Sequence, residues 1–479
     1  MSDALNFDVV VIGSGPGGYV AAIKAGQLGL KTAIVEKDTR FGGTCLLRGC
    51  IPTKAMLESA EIFDHAREAA EFGITIEGKI AVDMPGVHRR KDKIVQQNAG
   101  GVAFLLKKNK VTPLMGHGRL LGGGKIAVTG AAGPSVGRQP GGESVVTAKN
   151  IILATGSAPR HLPNIAIDGK RVLTSDELLA LPEIPTHLLV LGAGAVGVEF
   201  GSVFRSFGAQ VTLVELADHL VPVEDDEVSL EFEKVYRRRG FTVHTGTKIA
   251  AVETTDDGVT ATLENAKGEK STVKASHLLV AVGRRPVTED CGLDKTNIQL
   301  ERGFIRVDGL QRTTEPGVYA IGDIVAGKPQ LAHAASNEAI LAVEHIAGLN
   351  PEPIDWTQCP GCTYSNPEIG SIGLTEREAK KRGYNVKTGK FPFQAIAKAK
   401  ILNNAVGFVK FVVDADCHDQ ILGVHIIGPR ATDLIAEAGP LLKNEFTLEE
   451  LAHIIHAHPT LSEAVVEAAH ATLGHAIHI

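Results

Sequence analysis

The chain has 479 residues, more than one hydrophobic core organises, so two to four domains are expected. With 44% hydrophobic residues, 22% charged residues and a net charge of −6, it reads as an ordinary globular protein. The acidic balance argues against a nucleic-acid footprint, and no Lys/Arg run offers a membrane patch.

The chain opens with a short segment, Met1 to Phe7, that lacks the basic and apolar regions of a signal peptide. No stretch approaches the ~18–20 apolar residues of a membrane span. A cytoplasmic location without membrane contact is therefore expected. Six cysteines are too few for a secreted disulfide scaffold, so any disulfide is expected to be catalytic.

A buried-strand run, Asp8 to Ile12, leads into Gly13-Ser14-Gly15-Pro16-Gly17-Gly18 and a helical stretch, Tyr19 to Leu28. The next apolar run, Thr32–Val35, ends in Glu36, followed by two cysteines five apart, Cys45 and Cys50. Residues 53–70 and 85–108 have helical spacing, and the glycine-rich residues 110–149 suit a small β-meander. A second copy of the opening follows. The run Leu188 to Leu191 leads into Gly192-Ala193-Gly194-Ala195-Val196-Gly197 and a helix, Val198 to Phe207, and Val211–Val214 ends in Glu215. Glu36 and Glu215 each stand 23 positions beyond the first glycine of their motif. The strands Ile151–Ala154 and Leu278–Ala281 echo one another as well, each running into Gly-x-x-Pro. Past Pro351 the texture changes: Phe408–Val413 and Ile421–Ile427 suit a hairpin, and helical periodicity returns in Ala431–Leu442, Leu448–Ile455 and Leu461–Leu473.

A lone glycine motif says little. Strand, loop, helix and acidic strand end at the right distance, twice over, predict two nested Rossmann-like dinucleotide-binding domains in an α/β chain, plus a C-terminal α+β domain. Glycines let the backbone approach a pyrophosphate, the helix start offers unpaired N–H groups, and the carboxylate accepts from ribose hydroxyls. The expected divisions are 1–150 and 281–350 for the first nucleotide site, 151–280 for the second, and 351–479 for the C-terminal domain. Glu215, with no arginine in Leu216-Ala217-Asp218-His219, favours NAD over NADP.

Cys45 and Cys50 lie just before a helical stretch, where a thiolate is stabilised and its pKa falls. Such a pair shuttles between dithiol and disulfide without leaving its site. A zinc site would need two further ligands, for which only Cys359 and Cys362 are candidates, and two buried structural thiols are the other alternative. The C-terminal segment is rich in histidine, but no carboxylate or cysteine completes a metal site at clear spacing, so no metal is expected. His458 differs, because Glu463 lies five residues on and can orient its ring as a general base for thiols.

On these motifs, together with Ala154-Thr155-Gly156, Gly283-Arg284-Arg285-Pro286, Tyr319-Ala320-Ile321-Gly322-Asp323, Leu331-Ala332-His333 and His456-Ala457-His458-Pro459-Thr460, the chain resembles the pyridine nucleotide–disulfide oxidoreductases over its full length. The resemblance implies a homodimer with one non-covalent FAD per subunit and exchangeable NAD. It assigns Gly13, Gly15, Gly18, Glu36, Thr44, Lys54, Gly118, Thr155, Gly156, Ser157, Asp323, Leu331, Ala332 and His333 to FAD. Gly192, Gly194, Gly197, Glu199, Glu215 and Gly283 fall to NAD, with Glu199 also the ion-pair partner of Lys54. Cys50 would face the flavin, Cys45 would exchange with substrate, and His458 with Glu463 would act on the opposite subunit's disulfide. The implied substrate is a dihydrolipoyl group on an acyltransferase or glycine cleavage protein. Among related activities, mercuric reductase would carry a C-terminal cysteine pair, and no cysteine follows Cys417. Leu47-Arg48 stand where many relatives carry Asn-Val. A redox-sensing flavoprotein without turnover would lose Cys45, Cys50, His458 or Glu463, and all four are present.

Overall fold

The computed structural model describes residues 5–130 and 142–479, which form two compact units. The first comprises Met1–Ala55, His88–Arg160 and Arg284–Ile354; the second comprises Met56–Val87, His161–Gly283 and Asp355–Ile479.

In the first unit the strand Leu5–Ile12 pairs in parallel with Thr32–Glu36 on one side and Glu143–Leu153 on the other. Val318–Ala320, far along the chain, joins the same sheet in parallel beside Ile151–Leu153. Alternate residues of the central strands serve opposite faces. Val9, Val11, Ile34 and Ile152 pack on one side with Ala21, Ala22 and Ala25 of helix Pro16–Gln27 and with Ala339, Ala342 and Val343 of helix Ala332–Ile346. Val10, Ile12, Ala33, Val35, Ile151 and Leu153 pack on the other, with Leu120, Ile126 and Val128. Burial on both faces explains why these strands read as unbroken apolar runs. Part of the expected meander appears as the antiparallel strands His117–Gly122 and Lys125–Thr129, the latter paired with Glu143–Leu153; residues 131–141 of that expectation lie outside the described residues.

The second unit repeats the plan. Its parallel sheet runs in the order Thr242–His244, Gln210–Val214, His187–Leu191, His277–Val280, Val172–Leu173. The same unit holds the five-stranded antiparallel sheet of the C-terminal segment, whose central strands are the expected hairpin, Phe408–Asp414 and Gln420–Gly428.

The later helices depart from their periodicity. The helix expected over Ala431–Leu442 is broken into Ala431–Leu434, a 3-10 turn Ile435–Glu437 and Ala438–Lys443. Pro440 has no N–H for the Ala436 carbonyl, and the turn before it tightens in response. The stretch Leu448–Ile455 is helical only to Ala452, opened by a Thr447–Glu450 capping box. The last helix begins at Glu463, two residues later than expected, and stops at Gly474, which has φ +85. Among the described residues, no helix is long and apolar enough to cross a membrane.

Candidate active site

The first glycine loop owes its shape to close backbone approach. Gly13 has φ +103, and a Cβ on Gly18 would stand 1.9 Å from the Gly13 carbonyl oxygen, so no larger residue closes the helix onto the strand end. Around Gly15 a Cβ would meet nothing within 4 Å, which leaves the helix start accessible to a ligand. Glu36, buried at the end of its strand, accepts from the Ser14 N–H (2.8 Å), the Ser14 hydroxyl (2.5 Å) and the Asp38 N–H (2.8 Å). Ser14 was not singled out from sequence. Its Oγ also accepts from the Gly42 N–H (3.1 Å), which fastens the start of the cysteine segment to the loop. Gly43 continues the contact: a Cβ there would lie 2.5 Å from the Gly15 Cα. Gly118 packs its Cα against Ile12 and Val35, with room for no side chain.

Cys45 lies in the short helix Gly43–Arg48, and Cys50 begins the helix Cys50–Arg67. Gly49 makes the return possible, since a Cβ there would press on the Thr44 carbonyl oxygen at 3.0 Å. The two sulfurs are joined by a hydrogen bond, which, with burial, pushes the Cys45 thiol up, while the positive charge of Lys54 pulls it down. The expected fall in thiol pKa is therefore corrected for Cys45. The hydrogen bond with Cys50 and burial outweigh the pull of Lys54. Tyr19, one turn into the helix Pro16–Gln27, was also missed; burial pushes its phenol up. Arg48, the departure from the relatives' pattern, forms an ion pair with Asp38 beside the Glu36 turn.

The 3-10 turn Gly322–Ile324 carries Asp323. Ser157 donates its hydroxyl to Asp323, and Arg284 donates to the Ser157 hydroxyl (2.6 Å) and carbonyl (2.8 Å). Thr155 bonds the Val287 carbonyl at 2.6 Å, and Gly156 takes φ +73. Leu331 caps the helix that Ala332 and His333 open. The structure thus gathers Gly13, Gly15, Gly18, Glu36, Thr44, Cys45, Cys50 and Lys54 with the Ser157–Asp323 pair in one unit. That set fits a dinucleotide: an accessible helix start and strand-end carboxylate, with two sulfurs alongside.

In the second unit, Gly192 takes φ +96 and a Cβ on Gly197 would stand 1.9 Å from the Gly192 carbonyl oxygen. Glu215 accepts from the Ala193 N–H (2.7 Å) and the Ala217 N–H (2.9 Å), the counterparts of Ser14 and Asp38. Glu199 is buried and accepts the Tyr364 N–H at 3.0 Å. Gly283, φ +95, ends the strand His277–Val280 three residues on.

His458 and Glu463 are joined, Nδ1 to Oε1, at 2.8 Å, and the Thr460 N–H reaches Glu463 Oε2 at 2.8 Å. Although burial works the other way, these bonds hold the Glu463 carboxyl below its usual range. A carboxylate on Nδ1–H leaves Nε2 as the free base. The pairing alone is not diagnostic, because His478 meets Glu467 through Nδ1, and His456 meets Glu437 through Nε2, each at 2.7 Å. Exposure separates them in part: the His458 side chain is 73% exposed and that of His456 only 9%. Among the described residues no group of three His, Cys, Asp or Glu is placed to hold a metal ion.

Comparison with known proteins agrees with this geometry. The pyridine nucleotide-disulphide oxidoreductase family profile matches residues 7–339, and the family's dimerisation domain matches residues 359–469. A dihydrolipoyl dehydrogenase of Bacillus subtilis is 48% identical over 99% of this chain and 100% of its own length. A leghemoglobin reductase of Glycine max is 43% identical over 97% of this chain and 87% of its own. The crystal structure of LpdA from Mycobacterium tuberculosis superposes with a TM-score of 0.87 at 30% identity, covering 97% of this chain and 99% of that one. Membership implies binding of FAD and NAD(P), and the matched dimerisation domain supports a homodimer. With two glycine loops, a paired-cysteine segment fastened to the first of them, and both family profiles matched, the chain belongs to the pyridine nucleotide-disulphide oxidoreductase family.

Proposed function

We propose that the chain is a dihydrolipoyl dehydrogenase, oxidising protein-bound dihydrolipoyl groups and reducing NAD. The observation that carries this reading is the hydrogen-bonded Cys45–Cys50 pair, tied through Gly42 and Ser14 to a dinucleotide loop. Full-length relatives such as the Bacillus subtilis dihydrolipoyl dehydrogenase support it.

The first unit holds FAD through Gly13, Gly15, Gly18, Glu36, Thr44, Lys54, Gly118, Thr155, Gly156, Ser157, Asp323, Leu331, Ala332 and His333. The second holds NAD through Gly192, Gly194, Gly197, Glu199, Glu215 and Gly283. Bound FAD supplies the two-electron relay between Cys50 and NAD. Nε2 of His458, from the partner subunit and oriented by Glu463, takes the proton of one substrate thiol. The resulting thiolate attacks Cys45 of the oxidised pair and displaces Cys50, forming a mixed disulfide. The second substrate thiol then attacks the substrate sulfur of that bond, releasing lipoyl disulfide and leaving both cysteines reduced. Glu215 repels a 2′-phosphate and so selects NAD over NADP.

The lipoyl group comes from the acyltransferase of a 2-oxoacid dehydrogenase or from a glycine cleavage protein. Cysteine usage supports a cytoplasmic setting. Anaerobic stopped-flow mixing with dihydrolipoamide and NAD tests the reading: two-electron reduction of the flavoprotein followed by NADH formation is expected. Failure of dihydrolipoamide to reduce the protein would overturn it.

A further inference from the structure

Glu338 sits in the middle of helix Ala332–Ile346 with 1% of its surface exposed. Its Oε2 accepts the Gly322 N–H at 2.5 Å, and its Oε1 is buried with no hydrogen-bond partner among the described residues. A buried carboxyl with one oxygen unsatisfied is costly to keep ionised, and such a group calls for an explanation.

Its position supplies one. Gly322 opens the turn that carries Asp323, and a Cβ on Gly322 would touch Ala335 at 3.3 Å. Ala335 and Ile321 in turn roof the glycine loop, since a Cβ on Gly17 would meet the Ala335 carbonyl oxygen and Ile321 Cδ1 at 3.1 Å each. One layer of residues therefore separates Glu338 from the dinucleotide loop. The charged groups facing it are Asp323 and Lys328, from the segment before the helix. On the packed helix Pro16–Gln27 the cation is Lys24, engaged with Glu344 at 2.8 Å. Burial pushes the Glu338 carboxyl up to about 7; the Gly322 N–H and Lys328 pull it down, and Asp323 pushes it further up. Added negative charge next door is enough to change its protonation near neutral pH.

We propose that Glu338 is the proton acceptor linked to reduction of this site: partly ionised at neutral pH in the oxidised protein, it takes up a proton from solvent when two electrons enter, and returns it on reoxidation. This rests on the first loop being the FAD site. In the test reaction NADH gives up a hydride and becomes NAD, and the two electrons reside in the flavin and the cysteine pair. The proton on Glu338 Oε1 is additional to those that this chemistry itself consumes, and it comes from water. Glu338 touches no reacting atom and compensates charge through the Gly322–Asp323 turn.

The test is proton uptake by the holoenzyme, read with an indicator dye in weak buffer during anaerobic reduction by NADH. At pH 7, where about half of Glu338 already carries its proton in the oxidised protein, the wild type is expected to take up as much as about half a proton per flavin more than Glu338→Gln. At pH 5, where Glu338 is protonated in both redox states, the difference vanishes. Equal uptake at pH 7 would overturn the proposal. A second measurement needs no variant: in the wild type with carbon-13-labelled glutamate, the reduced-minus-oxidised infrared spectrum should gain a labelled carboxylic-acid C=O band. Its absence overturns the proposal even if Glu338→Gln does not fold. A purified chain that binds no FAD would sink both this inference and the proposed function. Bound flavin without the extra proton sinks this inference alone.

Discussion

The two glycine loops share a backbone plan and differ in what surrounds them. In each, the strand-end carboxylate is gripped by the N–H of the loop's second residue and by the N–H two residues after itself: Ser14 and Asp38 around Glu36, Ala193 and Ala217 around Glu215. The first loop is enclosed. Gly17 lies under Ala335 and Ile321, and the Ser14 hydroxyl ties it to Gly42 and the cysteine segment. In the second, the position matching Gly17 is Val196, 38% exposed, and the position matching Ser14 is Ala193, which has no hydroxyl to tie anything. The comparison teaches that one fingerprint serves two purposes. An enclosed loop suits a cofactor that stays bound, and an open one suits a cosubstrate that must leave each turnover.

Breaking the cysteine pair separates the two halves most sharply. Cys45→Ser should retain FAD and lower dihydrolipoamide oxidation by at least ~10³-fold, because the serine hydroxyl forms no disulfide. Cys50→Ser should do the same and remove the thiolate–flavin absorbance of the two-electron-reduced protein. Transfer from NADH to a quinone, which enters from the second loop, should continue in both. Near-normal lipoamide turnover in either variant would contradict the assignment.

His458→Gln should lower dihydrolipoamide oxidation by roughly 10²–10⁴-fold, the range of a positioned acid–base group, and leave NADH–quinone transfer largely intact. Glu463→Gln should fall between, since the imidazole remains but loses its orienting carboxylate. If His458 only packs an interface, both reactions fall together with the dimer, which mass measurement in solution detects.

At the open loop, the wild type should prefer NAD over NADP by at least ~100-fold in kcat/KM, about 2.7 kcal/mol. Glu215→Ala should narrow that preference. Comparable efficiencies in the wild type would remove Glu215 from the ribose site.

The smallest effect tests the enclosure itself. Ser14→Ala converts the first loop to the residue of the second and removes two buried hydrogen bonds, one of them to a carboxylate. FAD should leave faster by roughly 10-fold, on the order of 1–2 kcal/mol, with the KM for NAD unchanged. An unchanged FAD release rate would mean that the tie between Ser14 and Gly42 does not hold the cofactor in.

Much of this was legible along the chain because it is local. The glycine spacing, the strand-end acids and the Phe408–Asp414 hairpin follow from steric rules and periodicities that span a few residues. The sequence reading overran at Ala431–Leu442, where apolar spacing outweighed the proline within it. It also gave weight to the five-residue spacing of His458 and Glu463, although two further His–Glu pairs form at other separations.

What the sequence by itself determined is therefore the pair of glycine-loop units with their strand-end carboxylates, Glu36 and Glu215, and the place of Cys45 and Cys50 just after the first of them. Only the tertiary structure decided which loop is enclosed, that Ser14 reaches Gly42, that Ser157 meets Asp323, and that Glu338 is buried behind Gly322. The physical reason is sheet register. Val318–Ala320 adds to the sheet beside Ile151–Leu153, and that one pairing carries the turn at Gly322 and the helix after it over the first loop. Hydrogen-bond partners of buried polar groups are set by such long-range pairings, which leave no periodic mark in the residues themselves.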